Sequence, residues 1–339
     1  MLKSGIIVLN KPTNISSNAA VTKVKKILSA KKVGHLGTLD PLACGVLPIC
    51  VGKATRLFDY FLKKTKTYSA IFAFGFETAT LDSEGDITKV VDRKIEKQEI
   101  ESVLQHFRGK ISQVPPMFSA IKVGGQKAYD VARGGGELQL KAREIEIFEL
   151  SVQDLLDDEK QNAINFFKEN NKNYKNFDLN FENVYKFKIT CSSGTYIRSL
   201  CRDIAAAANS VGTMIYLQRT QAGAFKIEDS VGFDEIDESK LKNMDSFIDL
   251  PRVDISIEDE NKLLCGQKVC LKTDYEKFKL FCNDVLYGIA SAKNGMIKVD
   301  TFLKENWWIL LGLDHLGMKK NFIWRGIKVQ LKRQSGYTI

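Results

Sequence analysis

Two prolines and three glycines fall within one short segment, from Gly34 to Pro48. Pro41 excludes the preceding residue, Asp40, from helical dihedrals and favours an extended or turn conformation there. The glycines permit tight turns and let another backbone approach closely. The segment is therefore expected to form a rigid loop that carries one carboxylate near His35, one of only three histidines in the chain.

Two interpretations of Asp40 are open from its spacing alone. Asp-Pro pairs commonly open turns in which the aspartate side chain bonds its own backbone. A carboxylate held in a rigid loop is also what a nucleophile or a general base requires. The sequence of the loop does not decide whether Asp40 is a turn residue or a reactive acid.

Length and charge restrict the class of protein. The chain has 339 residues, which is typical of about two domains, and 44% of them are hydrophobic, which is enough for a sizeable core. The formal net charge is +9 and the sequence pI is about 9.0. Such a basic chain either binds a polyanion or has a solvated basic surface, and charge alone leaves both open.

The seven cysteines are scattered, odd in number and without CxxC spacing. This pattern predicts reduced thiols rather than a disulfide framework. Because the Cys and His residues form no four-ligand cluster, we expect no metal site, and no organic cofactor is implied. We find no signal-peptide pattern and no apolar stretch of membrane-spanning length, so we expect a cytoplasmic protein with no membrane contact.

Hydrophobic periodicity predicts an alternation of strands and helices in the first 250 residues. A helix follows Ser16 or Ser17, either of which can cap it, and another spans Lys97 to Phe107. In the run from Tyr68 to Phe76 both faces are apolar, which indicates a strand covered on both sides. Further strands are predicted at 5–9, 46–51, 143–150, 184–191 and 212–220, with short helices at 54–61 and after 198.

Three later regions differ in character. Residues 151–183 contain eight asparagines between Asn162 and Asn183, and we interpret them as a mobile surface insertion. Residues 251–303 consist of short β-like segments that suggest a small β-barrel-like domain. Residues 304–339 form a basic tail of unknown role, with seven Lys or Arg against two acids.

The loop segment and four later motifs resemble one protein family. Residues 34–48 fit the pattern Gly-His-x-Gly-x-Leu-Asp-Pro-x-Ala-x-Gly-x-Leu-Pro of the bacterial TruB family, the pseudouridine synthases that modify uridine 55 in the T-arm of tRNA. The matching later motifs are Lys66-Thr67-Tyr68, Pro-Pro-Met-Phe-Ser-Ala-Ile-Lys at 115–122, Ser-Gly-Thr-Tyr-Ile-Arg at 193–198 and Leu-Gln-Arg-Thr at 217–220.

The resemblance covers residues 4 to 234 well, and it implies both a fold and an activity. The expected fold is α+β, with a mixed, mostly antiparallel sheet flanked by helices and the reactive loop in a central cleft. Residues 1–250 would be the catalytic domain, and 251–303 look more loosely like the family's PUA-type RNA-binding module. The 151–183 insertion is longer than the family pattern suggests, and the tail has no counterpart in it.

The activity implied by the resemblance is isomerisation of uridine 55 in tRNA to pseudouridine. The target base is flipped out of the folded RNA, the glycosidic bond is cleaved, and the sugar is rejoined to C5. The expected partner is the T-arm of tRNA. No protein partner is implied, and we expect a monomer.

By resemblance, three residues are catalytic. Asp40 acts on the target nucleotide, as nucleophile or as base, and Tyr68 stacks on the flipped base. Arg198 would pair with Asp40 and hold it ionised. Tyr196 is two residues away from Arg198 in a segment that we interpret as extended, so that both side chains point the same way. Without the motif, Tyr68 would be interpreted as an ordinary core tyrosine, and Tyr196 and Arg198 as residues at the end of a surface strand.

Six residues are expected to bind substrate. His35 would fill the space that the flipped base vacates, and Leu217 would form the pocket wall beneath that base. Tyr196 would lie beside the Arg198 guanidinium. Basic side chains at three positions are plausible phosphate contacts. These are Lys11, Arg56 and Arg219.

Two other classes of function compete with this interpretation. The first is a tRNA-binding or folding protein without catalysis, although the presence of all three candidate catalytic residues favours an enzyme. The second is another base-flipping enzyme. A zinc deaminase would need H-x-E and P-C-x-x-C motifs, which the chain does not contain, and a glycosylase would not be expected to show all these motifs together.

Overall fold

The computed structural model describes residues 4–62, 65–119, 121–134, 136 and 138–303. The chain divides between Asp249 and Leu250 into two compact units. The basic tail predicted at 304–339 lies outside the described residues. No helix among the described residues is long and apolar enough to span a bilayer.

Helices and strands alternate through the first unit, which gives the mixed α+β architecture expected from the sequence. The helices are α1 (Ser17–Ile27), α2 (Phe58–Leu62), α3 (Lys97–Leu104), α4 (Ala128–Arg133), α5 (Asp157–Asn170), α6 (Ile197–Ala207) and α7 (Ile257–Leu264). The strands are β1 (Gly5–Lys11), β2 (Val33–His35), β3 (Cys44–Val51), β4 (Lys66–Phe74), β5 (Phe76–Thr78), β6 (Ile87–Val90), β7 (Gly109–Gln113), β8 (Lys122–Val123), β9 (Gln126–Lys127), β10 (Arg143–Gln153), β11 (Val184–Cys191), β12 (Gly212–Ala222), β13 (Phe225–Lys226), β14 (Arg252–Asp254), β15 (Lys277–Cys282), β16 (Val285–Lys293) and β17 (Met296–Phe302).

One large sheet organises the first unit. Its strand order is β1-β3-β12-β4-β11-β10-β7, with β2 paired to β3 and β13 paired to β12. Neighbouring strands are antiparallel throughout, except that β12 runs parallel to β3. The mixed, mostly antiparallel sheet predicted from the sequence is confirmed.

The pairing of β3 with β12 is short. Among the described residues it consists of Gln218 opposite Cys44 and Arg219 opposite Gly45. Next to these pairs, Asp40, Leu42 and Ala43 line a pocket together with residues 214–217 of β12. The parallel pairing therefore brings the loop of Asp40 beside β12.

Residues of strand β4 are buried on both faces of the sheet. Tyr68, Ala70, Phe72 and Phe74 belong to the main core, together with residues of α1, α3 and α6. Ile71 and Ala73 point to the opposite face and belong to a second cluster. The strand ends at Phe74 because Gly75 adopts a φ of +102°, a conformation that favours glycine. The predicted two-sided burial is confirmed, although β5 begins a new pairing after Gly75.

Helix α1 begins where the sequence predicts. The Ser16 hydroxyl accepts a hydrogen bond from the backbone N–H of Ala19 at 3.1 Å, which is the usual N-cap arrangement. Ala20 and Val24 of the apolar face are fully buried. Ser17 has a different role and contacts the reactive loop, as described below.

Residues 151–183, which we predicted to be a mobile surface insertion, contain a packed helix rather than an irregular segment, while their status as an insertion stays a prediction. Helix α5 occupies the middle of this segment, and the second sheet face is buried against it. Ala163, Ile164 and Phe167 recur at helical spacing and pack on Ile71 and Ala73. The many asparagines hid this apolar stripe, because composition averages over a helix of which only one face is apolar.

The second unit has its own sheet and its own core. Strands β14, β15, β16 and β17 are neighbours in that order, with β14 parallel to β15 and the other pairs antiparallel. Phe278, Leu280 and Tyr287 are fully buried in its centre. The assignment of this unit as PUA-type stays a prediction.

Candidate active site

The backbone of Asp40 forms a turn, while its carboxylate forms an ion pair. The carbonyl oxygen of Asp40 accepts a hydrogen bond from the N–H of Ala43 at 3.1 Å. The carboxylate Oδ2 lies 3.0 Å from Nε of Arg198. The turn of the Asp-Pro pair is thus made by the backbone, which leaves the carboxylate available, and the role of Asp40 as a reactive acid stays a prediction.

Three buried groups hold the loop around Asp40 in place. Ser17 Oγ donates to Leu39 O and accepts from Leu39 N, both at 2.8 Å. Lys11 Nζ donates to three backbone carbonyls, those of Pro12 and Ile15 at 2.8 Å and that of Pro41 at 3.2 Å.

Arg219 completes this support from the neighbouring strand. Its guanidinium donates to Val46 O at 2.8 Å, Gly37 O at 3.0 Å and Thr38 O at 3.3 Å. The segment on either side of Asp40 is therefore tied to both β1 and β12. A loop with this many charge-assisted bonds is preorganised.

The expected phosphate contacts of Lys11 and Arg219 do not agree with their positions. Lys11 is 0% exposed and Arg219 is 1% exposed. Burial lowers the pKa of Lys11 to about 8. We correct both to loop-positioning residues, because donors that are buried and bonded to carbonyls do not reach an RNA backbone. Arg56 differs, since it is exposed on a 3-10 helix and remains a candidate for phosphate.

Arg198 lies in a helix and not in the extended segment that we expected. It is the second residue of α6, and Tyr196 caps that helix with extended dihedrals. A cation in the first helical turn is unfavourable to the helix dipole. Two carboxylates compensate for it, since Arg198 Nη1 also lies 3.2 Å from Oδ2 of Asp82, in addition to the contact with Asp40.

The remaining guanidinium donors of Arg198 are satisfied by backbone. Nη1 donates to Thr80 O and Nη2 to Phe118 O, each at 3.0 Å. Burial opposes the charge of Arg198, but Asp40 and Asp82 together outweigh it and raise the pKa of the guanidinium. This side chain is a fixed cation that orients Asp40.

Sequence reasoning missed Asp82. Its side chain is 8% exposed, and burial raises its pKa against the opposing charge of Arg198. Thr80 Oγ1 and the N–H of Glu84 donate to its Oδ1. A signal was available, because Thr80, Asp82 and Ser83 follow β5 in a short turn. Leu81 within that turn has a φ of +62°, an unusual conformation for a bulky residue.

Of the other predicted site residues, Leu217 lines a pocket together with Asp40 and Asp82, whereas Tyr68, Tyr196 and His35 are not in its lining. Tyr68 is 7% exposed in the sheet beneath, and burial raises the pKa of its phenol, so that it stays protonated at neutral pH. Burial likewise raises the pKa of Tyr196.

Backbone contacts fix the positions of Tyr196 and His35 outside the lining of this pocket. The backbone of Tyr196 exchanges two hydrogen bonds with the side chain of Gln113, at 2.9 and 3.1 Å. His35 is half-buried on β2, where it pairs with Ile49. Burial and the nearby Arg219 charge lower the pKa of His35 below 6.5, so its imidazole is neutral at neutral pH.

All seven cysteines are free thiols, as the sequence predicted. In the part of the chain that the structure describes, no three His, Cys, Asp or Glu side chains are grouped as a metal site would require.

Comparison with known proteins decides the family. The sequence profile of TruB family pseudouridylate synthases (N-terminal domain) matches residues 25–197. The chain belongs to this family. A relative from Geobacillus kaustophilus named tRNA pseudouridine synthase B is 42% identical over 235 residues, which cover 69% of this chain and 76% of the relative. One from Clostridium novyi with the same name is 37% identical over 266 residues and covers 78% and 81%.

Solved structures agree on the fold. A Cbf5–Nop10–Gar1 complex contains a chain that superposes with a TM-score of 0.61 at 22% identity, covering 90% of this chain and 86% of that one. An H/ACA RNP bound to a substrate RNA containing 2′-deoxyuridine gives 0.59 at 22% identity, with 89% and 86% covered.

Membership of the TruB family confirms the prediction of an isomerase of the pseudouridine synthase type. Pseudouridine formation breaks the bond between the ribose and N1 of uracil and forms a bond to C5. The net reaction consumes no oxidant and no second substrate. It needs a fixed group at the sugar–base junction and a pocket that retains the detached uracil. Asp40, which pairs with Arg198 and lines a pocket, is the candidate for the fixed group.

Proposed function

We propose that this protein isomerises uridine 55 in the T-arm loop of tRNA to pseudouridine. The observation that carries the proposal is the 3.0 Å ion pair of Asp40 with Arg198 at the pocket lining. The names of the relatives supply the substrate class, tRNA. The position within tRNA follows from the family resemblance of the loop motif.

Asp40 is the reacting group in this proposal. Its side chain is 38% exposed, whereas those of Arg198 and Asp82 are 7% and 8% exposed, so that of the three Asp40 is the one open to a ligand. It acts on the target nucleotide either as nucleophile or as base. Arg198 pairs with it and keeps it aimed into the pocket.

The surrounding side chains bind the flipped base. Tyr68 stacks on the uracil, and Leu217 forms the wall beneath it. His35 enters the space that the base leaves in the RNA, for which a neutral, flat imidazole is suitable. Tyr196 lies at the margin of the pocket beside Arg198. Base–aromatic stacking of roughly 1–3 kcal/mol offsets the unstacking that flipping requires.

RNA binding outside the pocket relies on surface charge. Arg56 contacts phosphate, and the second unit adds further affinity as a PUA-like module. The protein acts as a monomer, without a metal, an organic cofactor or a protein partner.

Unmodified tRNA and purified protein test the proposal directly. After incubation, carbodiimide-dependent primer stops map pseudouridine, and mass spectrometry confirms that the RNA mass is unchanged. A new stop at position 55 is expected. A stop elsewhere would contradict the substrate assignment. A loss of mass would indicate a glycosylase, and a small gain of mass would indicate a deaminase, which replaces an amino group by oxygen.

Asp40→Asn tests the role of the carboxylate. Asparagine keeps the size and leaves the backbone turn intact, but it removes the anionic oxygen. We expect tritium release from C5-labelled uridine in tRNA to slow by more than about a thousandfold, roughly 4 kcal/mol in transition-state stabilisation, with tRNA binding largely unchanged. Arg198→Lys is expected to be milder yet severe, because lysine keeps the charge and loses the planar fork.

Asp59→Asn is the matched control, since Asp59 is exposed on α2 in the same unit. It should react like the wild type. If Asp40→Asn keeps more than about a tenth of wild-type activity, the carboxylate is a structural turn residue and the proposal is wrong.

A further inference from the structure

Helix α5, in the segment that exceeds the expected family pattern, reaches the pocket. Phe166 lines the same pocket as Asp40 and Asp82. Its ring stands against the ring of Tyr216 in an edge-to-face contact, with centroids 6.1 Å apart and an interplanar angle of 89°. Tyr216 lines the pocket too, and its hydroxyl lies 3.2 Å from Sγ of Cys44 at the end of the reactive loop.

The position of Phe166 is set by a firmly held helix. The neighbouring residues Ile164 and Phe167 are buried against the sheet. Near the start of the helix, Glu159 pairs with Lys186 of β11 at 2.6 Å. An aromatic side chain on a helix held at both its start and its apolar face is preorganised for a contact.

The end of α5 is connected to the catalytic group by hydrogen bonds. Asn171 is 2% exposed, and its Nδ2 donates to Gly85 O at 2.8 Å. The N–H of Gly85 donates to Thr80 Oγ1 at 2.8 Å, and that hydroxyl donates to Asp82. Asp82 pairs with Arg198, the partner of Asp40. The same helix thus supports the loop of Asp82 and lines the pocket.

We propose that α5 is a wall of the substrate pocket and that Phe166 contacts the base of the target uridine. The inference rests on the proposed function, because it takes the pocket at Asp40 as the site of the flipped nucleotide. Phe166 is half-buried, so part of its ring is open beyond the contact with Tyr216. A planar pyrimidine is the ligand that such a ring face or edge recognises.

Steady-state kinetics of Phe166 variants on tRNA test the contact. We expect Phe166→Ala to lower kcat/KM by about 5- to 150-fold, the range for loss of one base–aromatic contact. Phe166→Tyr keeps the ring and should stay within about threefold of the wild type, whereas Phe166→Leu keeps bulk without a ring and should fall between them. Phe177→Ala is the control, since Phe177 is 39% exposed in the same segment.

Photo-crosslinking of the unaltered protein gives a second readout that does not depend on the folding of a variant. A tRNA with 4-thiouridine at the target position should crosslink to the tryptic peptide Gln161–Lys168, which contains Phe166, and not to Asn176–Lys186, which contains Phe177.

Kinetics and crosslinking together separate the inference from the proposed function. If the wild type forms pseudouridine while Phe166→Ala equals Phe177→Ala, the inference is overturned. It is also overturned if the target nucleotide of an active protein crosslinks without labelling Gln161–Lys168. If the wild type forms no pseudouridine at position 55, the proposed function fails first.

Discussion

Arg198 serves two carboxylates of different exposure. Asp82 is buried with it, while Asp40 remains partly open to the pocket. Removing the cation would leave a buried carboxylate without its partner, which is strongly unfavourable. At the scale of residues, the candidate site is one partly exposed carboxylate beside a buried ion pair, and Lys11 and Arg219 hold its loop in place.

His35 leads to a prediction about stability and pH. Its folded-state pKa lies below the ordinary 6.5 because of burial and the Arg219 charge. The unfolded chain therefore binds a proton first as the pH falls below 6.5, and the folded state loses stability there. We expect the free energy of unfolding of the wild type, measured by urea denaturation, to fall more between pH 7.0 and 5.5 than that of His35→Gln.

His106→Gln provides the comparison, since His106 is exposed in a 3-10 helix after α3. The free energy of unfolding of His106→Gln should change with pH as that of the wild type does. Parallel curves for His35→Gln and the wild type would contradict the burial argument.

At the scale of elements, the pairing of β3 with β12 depends on a close approach of their backbones at Gly45. Gly45 has a φ of +97°, and a Cβ there would lie 2.3 Å from the backbone oxygen of Arg219. We expect Gly45→Ala to lower the free energy of unfolding by roughly 2 kcal/mol or more, because strain and a backbone clash combine. Urea denaturation measures the change.

Gly34→Ala is the matched substitution in the same segment. Gly34 has no atom within 4 Å of an added Cβ and no positive φ. Its effect should stay within about 0.5 kcal/mol. Equal stabilities of the two variants would show that β3 and β12 can separate without cost, against the geometry.

At the scale of the whole molecule, our proposal assigns the reaction to the first unit and part of the affinity for tRNA to the second unit. All candidate catalytic residues lie before residue 220, and the first unit has its own core. We expect a protein ending at Asp249 to bind tRNA about tenfold more weakly or worse, since one of two binding modules is gone. Its single-turnover rate at saturating RNA should stay within about threefold of the full chain.

Filter binding and rapid-quench kinetics on the same preparation separate these quantities, with circular dichroism to verify folding. A folded truncated protein with unchanged affinity and lost chemistry would overturn the assignment of the two units.

Local patterns in the sequence were enough to predict much of this protein. Periodicity placed α1 and β4, because apolar spacing and caps act over a few residues, whereas the mostly antiparallel sheet was implied by the family resemblance. The prolines and glycines around Asp40 predicted a rigid loop, and the resemblance of the motifs to the family implied that Arg198 pairs with Asp40. Periodicity, caps and turns depend on neighbouring residues, which the sequence shows directly.

Only the tertiary structure decided which polar groups face inward. Lys11 and Arg219 look like surface cations in the sequence, yet carbonyls from distant segments surround them. Asp82 joins Arg198 across more than a hundred residues, and α5 reaches the pocket because the second face of the sheet needs a cover. A charge is buried or exposed according to the partners that folding brings to it, and those partners are set by long-range packing rather than by the residues beside it.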